Sequence, residues 1–224
     1  MMTKLTATDG HSLDAWIEPA EGDRRGGIVI VQEIFGVTDQ LKGVAKRYTA
    51  LGYEVAIPAL FDRQKPDAVI PFDQFAEGRE LMLAAKLDQT MMDIDAARAA
   101  LAAHGGKVGM IGFCWGGGLV LRAAQVLDVA CAVSFYGTRL KDYLDRPLKA
   151  PVQGHFGKAD DHTPPDLVAF LLPLAVFLAR KGECGQVVHG KGNGGGTGGK
   201  MLLPPATGPG VAQAQRIMLR RQQL

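Results

Sequence analysis

Residues 109–118 read GMIGFCWGGG, and within them Gly112-Phe113-Cys114-Trp115-Gly116 has the spacing G-x-C-x-G. With serine at its centre, this spacing marks a nucleophile elbow, a tight turn from strand to helix that lifts one side chain above a sheet. Cysteine in that place offers a thiolate, which the partial positive charge and unpaired amides of a helix N-terminus favour. The chemistry is therefore nucleophilic, with Cys114 as the attacking group. Cys131, in an apolar strand, and Cys184, in the C-terminal segment, lack such a frame and read as structural. Glu33 is the second residue that stands out, an acid just past an apolar strand and just before Ile34-Phe35-Gly36.

The elements that would hold these groups follow from the pattern. Residues 27–32, GIVIVQ, form a nearly continuous apolar run, as in a strand buried on both faces. Thr38 and Asp39 offer an N-cap for a helix to about residue 51, which Gly52 ends. Further strands are expected at 53–57, 107–112, 129–136 and 151–156. Helices are expected at 73–85, 88–104, 115–127 and 165–180. The repeated β-then-α order predicts an α/β fold, a mostly parallel sheet with helices on both faces.

With 224 residues, the chain has the length of one large domain. Its net charge of +2 gives no basis for a nucleic-acid or anionic-membrane partner. The N-terminal residues contain no apolar signal region, and the most apolar stretch, 170–178, is too short to cross a bilayer. Three cysteines match no zinc spacing and cannot all pair within the chain, which suits a reducing cytoplasm. Residues 1–182 are expected to carry the core. From residue 184 onward there is no Asp or Glu, and no aromatic residue follows Phe177. Residues 183–224 thus read as an atypical glycine-rich segment, either disordered or the product of a shifted reading frame beginning near Phe170.

Three motifs in order give the chain a resemblance to the dienelactone hydrolases (carboxymethylenebutenolidases), cysteine members of the α/β-hydrolase fold. They are Val31-Gln32-Glu33-Ile34-Phe35-Gly36, the GFCWGGG elbow, and His155-Phe156-Gly157-Lys158-Ala159-Asp160. The resemblance runs from about Leu13 to Pro165. It implies that Cys114 attacks an ester or lactone carbonyl to give an acyl-enzyme, which water then hydrolyses. It implies that Glu33 holds the resting thiol and accepts its proton, and that the amides of Trp115 and Ile34 bind the oxyanion. Asp160 corresponds to the acid that orients a histidine, with Asp161 one register away. Arg79 corresponds to the arginine that binds a substrate carboxylate, with Arg63 as the alternative. Leu81, Met82 and Leu83 stand where relatives carry a tyrosine, so the resemblance does not carry dienelactone itself as the substrate.

The resemblance also implies a histidine after the last strand, in a glycine-histidine-alanine/serine-phenylalanine context that this sequence lacks. Of five histidines, only His189 follows the acid at roughly the right distance, and His162 is the alternative. The expected function is a cytoplasmic hydrolase of a small lactone or ester, without metal or organic cofactor. A scaffold of the same fold that binds a ligand or partner without turnover is the alternative, and a redox-active thiol at Cys114 is a third.

Overall fold

The computed structural model describes residues 1–157 and 187–189. The expected helix at 165–180, the acids Asp160 and Asp161, His162 and all of the segment 183–224 except 187–189 lie outside the described residues.

The chain opens with an antiparallel hairpin, β1 (Met2–Thr6) and β2 (Ser12–Glu18), turned at Gly10, whose φ of 86° is left-handed. The sequence reading did not anticipate this hairpin. Its signal is the alternation in Ser12-Leu13-Asp14-Ala15, which buries Leu13 and Ala15 on one face. Five parallel strands carry the middle of the molecule: β3 (Gly26–Val31), β4 (Tyr53–Pro58), β5 (Val108–Phe113), β6 (Ala132–Phe135) and β7 (Val152–Phe156). A short parallel strand, β8 (Val187–His189), pairs with β7. Among the described residues the sheet has eight strands in the order β1-β2-β4-β3-β5-β6-β7-β8. Every residue of β3 is buried, as its unbroken apolar run predicts.

The helices are α1 (Asp39–Thr49), α2 (Phe75–Ala84), α3 (Leu87–Ala102) and α4 (Trp115–Val126). The Thr38 hydroxyl caps α1 by accepting from the Leu41 amide, and α1 buries Leu41, Ala45, Tyr48 and Thr49 along one face. Strand order fixes which side of the sheet each helix covers. From β3 the chain passes through α1 to β4 on one side, then returns through α3 to β5 on the other side of β3. Right-handed crossovers in opposite directions put α1 and α3 on opposite faces. The step from β5 through α4 to β6 continues in the direction of α3, and α3 and α4 touch.

β3 and β5 are thus neighbours whose chains leave toward opposite faces. Such a reversal opens a crevice at the carboxyl ends of the two strands, where ligands of open α/β sheets bind. The residues at those two ends are Glu33 and Cys114. Among the described residues, no helix is long and apolar enough to cross a membrane.

Candidate active site

Cys114 sits between the end of β5 and the first residue of α4, with φ 52° and ψ −117°. Only glycine adopts that backbone easily, and a cysteine held there costs about 1–3 kcal/mol. The surroundings hold it in place. The Cys114 amide donates to the Phe135 carbonyl at 3.1 Å, and its own carbonyl accepts from Gly117, Gly118 and Thr138 at 3.0, 3.3 and 3.0 Å. Two glycines of the motif allow the tight turn. A Cβ on Gly112 would run into the Gly116 carbonyl, and one on Gly116 would run into the carbonyl of Val31. α4 therefore starts directly against the end of β3. The Trp115 side chain is buried and stacks on Phe61, with centroids 5.5 Å apart and planes 13° from parallel. That stack anchors the first turn of the helix.

Strand register aligns the remaining groups. Val31 pairs with Gly112, Gly112 with Ser134, Ser134 with Gly154, and Gly154 with Val187. Two residues beyond each stand Glu33, Cys114, Tyr136, Phe156 and His189. The carboxyl end of the sheet thus carries in one row the acid, the thiol, a phenol and the backbone of His189. β8 lies three strand spacings from β5, about 14 Å at the usual separation. The imidazole of His189 and the carboxylate of Asp160 lie outside what the structure describes.

Tyr136 is the participant that sequence reasoning missed. Its hydroxyl donates to Glu33 Oε1 at 2.9 Å. Its backbone, too, is left-handed, with φ 39°. Burial, then the charge of Glu33, its hydrogen bond and the charge of Cys114 all push the phenol well above its ordinary range. It therefore stays protonated and donates. The usable signal was positional, since Tyr136 follows the strand next to the elbow strand.

The peptide unit that Glu33 and Ile34 share is held by the side chain of Gln32. The buried Gln32 side chain donates to the Glu33 carbonyl at 3.2 Å and accepts from the Leu60 amide at 3.0 Å. At the next peptide unit, α2 packs so closely that a Cβ on Gly78 would run into the Ile34 carbonyl. Among the described residues, the amides of Ile34 and Trp115 donate to no other group. Both belong to backbone that flanks Cys114.

The two arginine candidates separate cleanly. Arg63 is engaged by Asp93 through two bonds of 2.7 Å and by Asp9 at 2.8 Å, and its guanidinium is largely buried. These carboxylates push its proton affinity up further, and it is not available to a ligand. Arg79 is exposed on α2, next to Gly78, with no ion pair among the described residues. Among the described residues, no cluster of three or more His, Cys, Asp or Glu side chains could hold a metal ion.

Comparison with known proteins decides the family. Residues 13–171 match the description of the dienelactone hydrolase family. The chain belongs to that family. A Methylorubrum extorquens relative is 35% identical over 161 residues, 65% of this chain and 55% of the relative. A carboxymethylenebutenolidase from Pseudomonas putida is 32% identical over 169 residues, 71% of each. This dienelactone hydrolase family member thus spans little more than half the length of the first relative. Among solved structures, a Klebsiella pneumoniae protein superposes with a TM-score of 0.68 at 24% identity, covering 84% of both chains. The fold is that of the α/β-hydrolases.

Proposed function

We propose that the protein hydrolyses a small carboxylic ester or lactone through a thioester on Cys114. The observation that carries this reading is the strained backbone of Cys114 at the head of α4, beside a Glu33 that accepts from Tyr136. Glu33 takes the thiol proton, and the thiolate attacks the substrate carbonyl. The negative charge moves to the carbonyl oxygen, which accepts from the Ile34 and Trp115 amides. Collapse breaks the carbon–oxygen bond, and the departing oxygen takes up the proton that Glu33 had accepted, which returns Glu33 to its carboxylate. In a lactone that oxygen remains attached as the hydroxyl of the opened ring. His189, oriented by Asp160, then removes a proton from water, which attacks the thioester carbonyl, and the departing Cys114 sulfur takes that proton back as the acid is released. Arg79 binds a carboxylate of the substrate. No step requires a metal or organic cofactor, and a reducing cytoplasm keeps the thiol competent.

The test is hydrolysis of p-nitrophenyl acetate by the full chain, with mass spectrometry of the protein during reaction. Acetylation of Cys114 with sustained release of p-nitrophenol is expected, and Cys114→Ala abolishes both. Turnover that survives Cys114→Ala unchanged removes the nucleophile assignment. Glu33→Gln is expected to slow acylation by about 10²-fold or more, as loss of a general base does.

A second reading is favoured by one fact, that the family match ends at residue 171, ahead of His189. On that reading the elbow acylates but water attack is not assisted, and the protein acts as a ligand-binding scaffold. It predicts one equivalent of p-nitrophenol and a persistent acetyl-enzyme.

A further inference from the structure

Next to this site lies a group of aromatic side chains that the proposed reaction does not use. Phe35, one residue after Ile34, meets Phe72 edge-to-face at 4.8 Å and 71°, and Phe75 at 6.5 Å and 60°. Phe72 and Phe75 are 58% and 56% exposed, although rings of this size normally bury most of their area. Their position is not that of a loose surface loop. The Ile70 amide donates to the Phe35 carbonyl at 2.9 Å, and Gly36 bridges Val69 in antiparallel fashion. Gly36 has a left-handed φ of 81°, and a Cβ there would run into the Ala68 carbonyl. Gly78 of α2 closes on the Ile34 carbonyl from the other side. The three rings are thereby fixed to the same short segment that supplies an amide to the oxyanion.

The chemistry of the neighbouring helix narrows what would cover them. Phe75, Arg79 and Leu83 follow one another at four-residue spacing, so they share a side of α2. All three are exposed, and the guanidinium is flanked along the helix by apolar side chains. A ligand that satisfies this surface carries an anion and a flat apolar group a few ångströms apart. The exposed faces and edges of Phe72 and Phe75 are free to meet a further ring, stacked or edge-to-face.

We infer that Phe35, Phe72 and Phe75 form a wall for an aromatic ring of the substrate, so that this site takes esters or lactones bearing both a carboxylate and an aryl group. The inference rests on the proposed hydrolase reading for the location of the scissile carbonyl, whereas the wall itself is tested by binding alone.

The experiment is an NMR titration of the full chain with phenylacetate and with acetate, which differ only by the ring. Phenylacetate is expected to bind about tenfold tighter or more, from the area its ring buries and its aromatic contacts. Phe72→Ala combined with Phe75→Ala, with an unchanged circular dichroism spectrum, is expected to remove most of that preference. Equal affinity for the two acids overturns the wall, as does a preference that survives both substitutions. So does a dimer in size-exclusion chromatography that Phe72→Asp splits, because a second copy would then cover the rings. Hydrolysis of p-nitrophenyl acetate, measured in parallel, keeps the two proposals apart. A ring preference in binding with no turnover supports the wall and removes the hydrolase reading. Turnover without ring preference does the reverse.

Discussion

Replacing Gln32 by leucine tests whether the peptide between Glu33 and Ile34 is positioned by a side chain or only by its strand. Gln32 is fully buried, and its amide makes two hydrogen bonds, to the Glu33 carbonyl and from the Leu60 amide. Leucine keeps most of the apolar contacts and removes both bonds. The Leu60 amide is left buried and unpaired, a cost of about 1–3 kcal/mol, and the half-exposed Glu33 carbonyl loses about 0.5–1 kcal/mol. The sum, about 2–4 kcal/mol, corresponds to a Tm lowered by roughly 5–15 °C for a domain of this size. The effect on rate has a separate origin. The Ile34 amide shares its peptide plane with the Glu33 carbonyl, so losing the Gln32 bond frees that plane to rock. Removing an oxyanion donor outright costs 10²–10³ in kcat, and loosening one is expected to cost about tenfold. The assay is the acylation rate of Cys114 with p-nitrophenyl acetate by stopped flow, alongside a melting curve. The expected pattern is slower acylation at saturating ester with little change in KM. A Gln32→Leu protein that melts lower yet acylates at the wild-type rate would show that Gln32 only supports the fold. An unchanged Tm would refute the buried hydrogen bonds themselves.

Two further predictions separate structure from chemistry elsewhere. Arg63→Gln is expected to cost about 3–5 kcal/mol of stability in urea unfolding, because it strands the buried Asp93 carboxylate, while preference for carboxylate-bearing esters is unchanged. Arg79→Gln is expected to do the opposite, raising KM for such esters with the Tm unmoved; if the two results came out exchanged, the assignment of roles would be wrong. His155, stacked on Phe135 at 4.5 Å, is driven by burial below its ordinary value of 6.5. The unfolded chain therefore takes up this proton first as pH falls, so its contribution to stability is present above about 6.5 and is lost progressively below it. Urea unfolding at pH 7.5 and 5.5 should show that loss, and His155→Gln should flatten it; an unchanged slope in the variant would place the pH dependence elsewhere.

The parallel core was legible in the sequence because its signals are local. The unbroken run before Glu33 can only be a strand covered on both faces, and Thr38 and Gly52 bracket α1 by cap chemistry. The hairpin of β1 and β2 was missed because its alternation is short and its outer face polar, so it resembles a loop until β4 is there to pair with. Tyr136 was missed for a related reason. Nothing in Ser134-Phe135-Tyr136-Gly137 marks a site, and its hydroxyl gains meaning only because two crossovers bring the end of β6 beside the ends of β5 and β3. Arg63 and Arg79 looked alike in sequence for the same reason, since the acids that occupy Arg63 lie 54 and 30 residues away from it.

What the sequence did carry about chemistry was written in backbone demands. A side chain that reacts leaves few constraints on its neighbours, whereas a cysteine held at φ 52° requires that Gly112 and Gly116 lack a Cβ. The Ile34 carbonyl, in the next peptide after the one that carries the Ile34 amide, likewise meets a helix so close that residue 78 must be glycine. These requirements come from sterics at the reversal between β3 and β5, so they survive in the sequence even where substrate contacts change. The substrate-facing surface has no such imprint. Phe72 and Phe75 sit on a segment whose backbone would accept many residues, and their exposure is a cost the fold does not recover. A residue type that the fold does not require and solvent does not favour is best accounted for by a ligand. That asymmetry puts the reaction class in the glycines around Cys114 and the substrate class in the rings beside Phe35.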